Sequence, residues 1–202
     1  MFPFNAKNSP DNEKKPVRIS GTDPLAVSKI SDCLHGMLLS QHKPHRHQLV
    51  VLCIGTDRST GDALGPLTGT RLAQLNPHRT AVYGSLAEPV HALNLAETLS
   101  LIKRRHPFPL TIAVDACLGR AESVGTIELG LGPLRPGAGV RKDLPCAGEM
   151  YVSGIVNIGG FLEHLVLQNT RLDTVVRLAE IIAGGLHLAL QNLASPFLAR
   201  TP

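Results

Sequence analysis

The sequence lacks tryptophan, and only 3% of its 202 residues are aromatic. A core of this composition must be aliphatic, and the chain has few of the stacking side chains that bind single-stranded nucleic acids. The formal net charge is a modest +4, with the basic residues scattered or concentrated near the amino end. We therefore expect no nucleic-acid partner.

Signals for export and membrane insertion are also missing. The amino end has no uninterrupted apolar core of the kind found in signal peptides, and no apolar stretch reaches the length of a membrane-spanning helix. The sequence therefore predicts a soluble cytoplasmic protein with no membrane partner.

The cysteines have neither metal-ligand nor disulfide spacing. They are widely separated and form no C-x-x-C pair: Cys33, Cys53, Cys117 and Cys146. Two of them fall in or just after apolar runs, as small buried thiols of a reducing compartment do. We expect no disulfide, no cofactor and no intrinsic metal site. The histidines between His42 and His47 could bind a metal, but a solvated basic turn is the interpretation we favour.

The chain is rich instead in apolar runs that alternate with helical patterns. A length of 202 residues and a hydrophobic content of 43% suit one sizeable domain. The runs at 49–54, 80–85 and 110–114 predict strands, with amphipathic helices between them. We predict an α/β fold: a three-layer α/β/α sandwich with a mainly parallel, mixed sheet of the phosphorylase/hydrolase-like type. Residues 21–200 are predicted to form this single hydrolase-like domain, and residues 1–20 a flexible tail.

A charged turn follows the first predicted strand. Residues 55–66 read G-T-D-R-S-T-G-D-A-L-G-P and lead into a helix, where open α/β sheets bind ligands. No lysine follows Gly61, so the turn is not a Walker loop. A solvated connection that caps the helix is the simpler interpretation. The extra ionisable groups favour chemistry, and we predict that Asp62 is catalytic. Its polar neighbours are predicted to bind substrate: Asp57, Arg58, Ser59 and Thr60.

A second aspartate ends the third predicted strand. Because parallel strands present their carboxyl ends on one edge, we expect Asp115 to approach Asp62, although a turn or capping role is the alternative. Two adjacent carboxylates can share a proton, so one can activate water while the other protonates the leaving group. Which does which stays open, because coupled sites titrate as a unit. Cys117 is a competing nucleophile, but without an obvious histidine partner a packing thiol is the favoured interpretation.

The remaining candidates lie in later connections. Glu88, after the second strand, is predicted to bind substrate. Residues 133–149 form a long Pro- and Gly-rich loop, and a loop of this length is either disordered or functional. In the functional interpretation it closes over the acidic site, with Lys142 neutralising negative charge. A strand, outlying and antiparallel, is predicted at 125–131. His164 and His187 are interpreted as ordinary packed or surface residues.

Three motifs together resemble the YyaC-like sporulation protein family. They are the turn at 55–66, A-V-D-A-C-L-G at 113–119 and R-P-G-A-G-V-R-K-D-L at 135–144. The resemblance spans about residues 49–190. In shorter motifs the chain is also similar to the spore germination protease and to the hydrogenase maturation proteases.

The resemblance implies a function. In the germination protease, the two aspartates that match Asp62 and Asp115 are regarded as catalytic. In the maturation proteases the equivalent acidic positions bind the metal of the substrate with a histidine, but no histidine lies between Pro133 and Tyr151 here. The implied function is a sporulation-associated, protease-like hydrolase. Its implied partner is a protein substrate, such as a small acid-soluble spore protein, in the cytoplasm of the forespore or mother cell. The alternative is a non-catalytic binding or assembly module. A homo-oligomer is compatible with the apolar stripe of the last helix.

Overall fold

The computed structural model describes residues 15–42, 48–137 and 144–194. The described strands are β1 (Val17–Ser20), β2 (Gln48–Cys53), β3 (Thr80–Tyr83), β4 (Pro109–Gly119), β5 (Thr126–Leu131) and β6 (Met150–Ile158). The α-helices are α1 (Ala26–Gln41), α2 (Leu64–Gln74), α3 (Leu95–Arg105), α4 (Glu163–Gln168) and α5 (Leu172–Ala194). A 3-10 turn, Gly61–Ala63, leads into α2.

The strands form one mixed sheet in the order β1-β5-β6-β4-β2-β3. β2 pairs in parallel with β3 and β4, and β4 pairs in parallel with β6. β5 runs antiparallel to both β1 and β6. Every residue of β2 from Leu49 to Cys53 is buried, which explains why this strand is a continuous apolar run rather than an alternating one. The predicted mainly parallel sheet is confirmed, and the strand predicted at 125–131 is the antiparallel β5. The prediction that this strand is outlying is wrong, because β1 pairs with its outer edge.

Helices cover both faces of the sheet. On one face α5 packs against α1 and α2, and its predicted apolar stripe lies in the core: Val175, Leu178, Ile182, Leu186 and Leu190. On the other face, α3 and the segment after β5 cover a smaller cluster that includes Val50, Leu52 and Ala113. The three-layer α/β/α prediction is therefore confirmed.

Two predicted boundaries differ from the structure by more than two residues. β1 occupies residues 17–20, within the predicted flexible tail, because it adds an edge strand to β5. Its short length and single buried residue, Ile19, give too weak a pattern to predict a strand. β4 does not end before Asp115 but continues to Gly119, because it keeps pairing with β6 after β2 has stopped. The limits of the predicted domain at residues 21 and 200 remain a prediction.

The connections reverse direction between β2 and β4. The chain leaves β2 through α2 toward β3 on one side, whereas the connection from β4 leads toward β5 and β6 on the other side. The crevice beyond the carboxyl ends of two such strands is the usual ligand site of an open α/β sheet. The two predicted catalytic aspartates lie at this point of the fold.

Candidate active site

Close backbone contacts set the shape of the turn that carries Asp62. Gly55 has φ +142°, and the amide of Thr56 donates to the carbonyl oxygen of Asp62 at 3.0 Å. A Cβ at Gly55 would overlap that carbonyl oxygen, and a Cβ at Gly65 would overlap the carbonyl oxygen of Ile54. The glycines of the motif are therefore required where the turn folds back onto the end of β2 and where α2 begins.

The same turn is pressed against α4. A Cβ at Gly61 would lie 2.8 Å from Cδ2 of Leu167 and 2.8 Å from Oγ1 of Thr170. Thr170 in turn accepts a hydrogen bond at 3.2 Å from Nδ2 of Asn157, at the end of β6. Glycine at position 61 thus lets the turn approach α4, which is itself tied to the central sheet.

Asp115 lies within β4, opposite Ser153 of β6. On its other side the pairing with β2 ends at Val114, so the sheet opens next to the carboxylate. Asp115 is only 7% exposed, and its Oδ1 accepts a hydrogen bond at 2.8 Å from the amide of Ala116. This carboxylate therefore sits in a buried position where the sheet leaves space for a ligand.

The electrostatics couple the two aspartates. Burial raises the pKa of Asp115, the negative charge of Asp62 raises it further, and the hydrogen bond from Ala116 lowers it only in part. The net result is a pKa well above the ordinary 3.8. Asp62 and Asp115, hereafter the acid pair, are therefore electrostatically coupled carboxyls, and Asp115 keeps its proton to a higher pH than an isolated aspartate does.

The acid pair faces a common cleft made of two adjoining cavities. One has a volume of about 210 Å³ and the other about 180 Å³, and Asp62, Asp115, Gly137 and Leu167 line both. Pro136 and Leu144 also line the larger cavity. The described ends of the long loop after β5 thus reach the cleft, and its closure over the acidic site stays a prediction.

The other predicted substrate-binding residues are distributed unevenly. Ser59 lines the larger cavity, and its Oγ is buried without a hydrogen-bond partner among the described residues. Four described residues line neither cavity: Asp57, Arg58, Thr60 and Glu88. Asp57, Arg58 and Glu88 are exposed to solvent. Lys142 lies outside the described residues, as do residues 43–47 of the basic histidine turn. The substrate-binding role of these residues stays a prediction.

Four residues with basic or acidic side chains line the cleft without having been predicted as site residues. His91 and His164 line the larger cavity, and Glu163 and Arg135 line the smaller one. Oε2 of Glu163 is buried without a hydrogen-bond partner in the described part of the chain. A signal existed for His91, which follows the second parallel strand and so belongs to the same sheet edge as Asp62. No periodic pattern distinguishes the two residues on the short helix α4.

Cys117 lines the smaller cavity, but its environment opposes nucleophilic chemistry. Burial raises the pKa of its thiol to about 12, with further contributions from Glu128 and Asp115. The reactive thiolate is therefore scarce at neutral pH. All four cysteines lie in the described residues and are free thiols.

The residues that the structure describes contain neither a metal-ligand cluster nor a membrane-spanning helix. Nowhere in 15–42, 48–137 or 144–194 are three or more His, Cys, Asp or Glu side chains placed to hold a metal ion. Within those ranges, no helix has the length and apolar character to cross a membrane.

Three comparisons place the chain among known proteins. The profile of a family described as "Protein of unknown function (DUF1256)" matches residues 18–185. The chain is 51% identical over 170 residues to "Uncharacterized protein YyaC" of Bacillus subtilis (strain 168), which covers 84% of this chain and 82% of that protein. Its fold is similar to that of the nickel–iron hydrogenase maturation protease HycI from Thermococcus kodakarensis KOD1. The TM-score is 0.52 at 16% identity, over 79% of this chain and 99% of that one.

Proposed function

The chain belongs to the DUF1256 family, and we propose that it is an aspartate-dependent hydrolase that cleaves a peptide bond in a protein substrate. The observation that carries the proposal is the acid pair: two coupled carboxyls in one cleft at the carboxyl edge of a parallel sheet. The likeness to HycI, whose name describes a protease, concerns the fold, and a fold can host unrelated functions. The site therefore has to support the chemistry by itself.

The environments of the two carboxyls support different roles for them. Asp115 is the more buried member, and burial and the neighbouring Asp62 raise its pKa in favour of the protonated form, so it is suited to be the general acid. Asp62 carries the negative charge that raises the pKa of its neighbour, so it is suited to be the general base. Environments that push two carboxyls apart in pKa are how a single site holds both an acid and a base.

The reaction then proceeds by attack of water. Asp62 takes a proton from a water molecule as the water oxygen bonds to the carbonyl carbon of the scissile peptide. The carbonyl π electrons move to its oxygen and form a tetrahedral oxyanion. When the C–N bond breaks, Asp115 delivers its proton to the departing nitrogen, and the products are a carboxylic acid and an amine. The proton on Asp62 passes to Asp115 to restore the starting state.

We propose a small acid-soluble spore protein as the substrate and the cytoplasm of the forespore or mother cell as the compartment. The motifs shared with the sporulation family support this choice. The substrate-facing surface includes the ends of the loop after β5, which line the cleft with the acid pair. A protein substrate would present an extended segment to this groove.

The test is digestion of a spore-protein extract, with new amino termini identified by mass spectrometry. Wild type should create defined termini, and Asp62→Asn and Asp115→Asn should each reduce cleavage by about 10²- to 10⁴-fold, because asparagine cannot exchange the proton. Asp32→Asn, which removes an exposed carboxylate on α1, is the matched control and should cleave like wild type. Cys117→Ala should also retain cleavage.

Two results would contradict the proposal. Loss of cleavage in Cys117→Ala alone would identify a thiol enzyme. A wild-type protein that creates no new termini in any spore protein would favour the non-catalytic binding module.

A further inference from the structure

We propose that His91 is a further catalytic residue of the cleft, whose Nε2–H donates a hydrogen bond to the carbonyl oxygen of the scissile bond and to the oxyanion that forms from it. This inference rests on the proposed function and adds the electrophilic group to the acid pair.

His91 lies beside the turn that carries Asp62. Val90, immediately before it, forms a parallel bridge with Ile54, and the carbonyl oxygen of Val90 accepts from the amide of Gly55 at 2.8 Å. Val90 thus extends the sheet edge beside the start of the turn that carries Asp62. His91 follows directly and lines the larger cavity together with the acid pair.

Hydrogen bonds hold the turn that carries His91. Its backbone amide donates to Oδ1 of Asn94 at 2.7 Å, and Nδ2 of Asn94 donates back to the carbonyl oxygen of Pro89 at 3.0 Å. The carbonyl oxygen of His91 accepts from the amide of Leu95 at 2.9 Å, in the first turn of α3. Both backbone polar groups of His91 are therefore engaged, as a positioned catalytic side chain requires.

A backbone hydrogen bond determines which nitrogen of the His91 imidazole carries the proton. The amide of Leu93 donates to Nδ1 of His91 at 3.3 Å. A backbone N–H can only donate, so Nδ1 is the unprotonated nitrogen, and the neutral ring carries its proton on Nε2. Among the described residues no hydrogen bond is made by Nε2. His91 therefore offers the cleft a donor and not a base.

The proposed reaction also needs a hydrogen-bond donor for the carbonyl oxygen of the substrate. In the proposed reaction negative charge grows on the carbonyl oxygen while Asp62 accepts the proton of the water and Asp115 keeps its proton for the leaving nitrogen, so a separate donor is needed to stabilise that oxygen. Ser59 and His164 line the same cavity, but no hydrogen bond within the described part of the chain orients either side chain. His91 is oriented through Nδ1, and a donor placed in advance stabilises an oxyanion more than one that must reorganise.

The proton on Nε2 is shared but not transferred. As water bonds to the carbonyl carbon, the carbonyl oxygen gains negative charge and the hydrogen bond from Nε2–H strengthens. When the C–N bond breaks, the electron pair returns to the carbonyl group and Asp115 protonates the amine. Water supplies the oxygen of the new carboxyl group, and His91 ends the cycle in the state in which it began.

A matched pair of variants tests this assignment in the spore-protein digestion. His91→Asn keeps a side-chain oxygen that can accept from Leu93 but loses the distant N–H, so kcat should fall by about 10²- to 10³-fold with little change in KM. His91→Gln loses the acceptor near Leu93 but keeps an N–H at the position of Nε2, so its kcat should stay within about tenfold of wild type. His78→Asn, at an exposed histidine before β3, controls for histidine removal and should match wild type.

The reverse order, an active His91→Asn and an inactive His91→Gln, would overturn the proposal, because it is the result expected of a residue that only holds the turn. A second measurement uses only the wild-type protein. Nitrogen-15 NMR of the wild-type imidazole should show the Nε2–H tautomer, and an Nδ1–H tautomer would refute the inference. Cleavage lost in Asp62→Asn but unaffected in His91→Asn would overturn the role of His91 alone, whereas an inert wild type would overturn the hydrolase and His91 together.

Discussion

Replacing Asp115 by asparagine should stabilise the protein, and the gain should grow as the pH rises. In the folded protein, burial and the charge of Asp62 hold the pKa of Asp115 well above 3.8. In the unfolded chain the carboxyl ionises near 3.8. Between these two pKa values the folded state keeps a proton that the unfolded state has lost. The stability of wild type therefore falls as the pH rises through this window, and asparagine removes that loss.

The size of the effect follows from the number of protons involved. One proton held only by the folded state gives a slope of about 1.4 kcal/mol per pH unit in the free energy of unfolding. The advantage of Asp115→Asn should thus start near zero at about pH 4, grow with that slope, and level off at the folded pKa. Asparagine can still accept the hydrogen bond from Ala116, so the low-pH baseline should be close to wild type.

The assay is urea unfolding of wild type and Asp115→Asn at half-unit steps from pH 3.5 to 8. Asp32→Asn is the control, because it removes an exposed carboxylate from α1. The free-energy difference between Asp115→Asn and wild type should rise with pH, whereas Asp32→Asn should show no such rise. A variant that is less stable than wild type at pH 7, or a difference that is the same at every pH, would refute the reasoning.

Other predictions concern the thiols and the packing. Burial raises the pKa of the Cys117 thiol to about 12, so Cys117 should react with a thiol reagent at pH 8 at least roughly tenfold more slowly than the exposed Cys146. Equal reaction rates for the two thiols would contradict this prediction. Gly65→Ala should lower the free energy of unfolding by about 1–3 kcal/mol or more in urea melts, because the added methyl overlaps backbone. Gly36→Ala, where the methyl meets nothing within 4 Å on exposed helix, should gain about 0.5–1 kcal/mol, and the opposite ranking would refute the packing argument. Leu64→Ala, at a fully buried position, should cost about 2–5 kcal/mol, and a cost below 1 kcal/mol by the same melts would count against a tight core.

The layers of the fold could be predicted because their signals are local. The continuous apolar run of β2 predicts a strand buried on both faces, and the helical stripe of α5 predicts a helix buried on one face. The structure buries both segments in this way. β1 could not be predicted, because four residues with one buried side chain become a strand only when β5 is present to pair with them.

The candidate site was predictable at the two aspartates and incomplete elsewhere. Residue types and strand ends pointed to Asp62 and Asp115, because parallel strands share an edge. The extension of β4 past Asp115 depends on its unequal neighbours, β2 and β6, and sequence carries no pairing information of that kind. Glu163 and His164 reach the cleft because α4 packs against the turn at Gly61, a contact between segments about 100 residues apart.

The acid pair itself can be tested by carboxyl carbon-13 NMR, which follows the titration of Asp115 in wild type and in Asp62→Asn without any substrate. Wild-type Asp115 should remain protonated well above pH 3.8, because it is buried and lies beside a second carboxylate. Asp62→Asn should lower the pKa of Asp115, since it removes the negative charge that opposes ionisation, while burial keeps the value above that of an exposed aspartate. An Asp115 that titrates near 3.8 in wild type, or whose pKa does not change in Asp62→Asn, would contradict a coupled pair in one cleft.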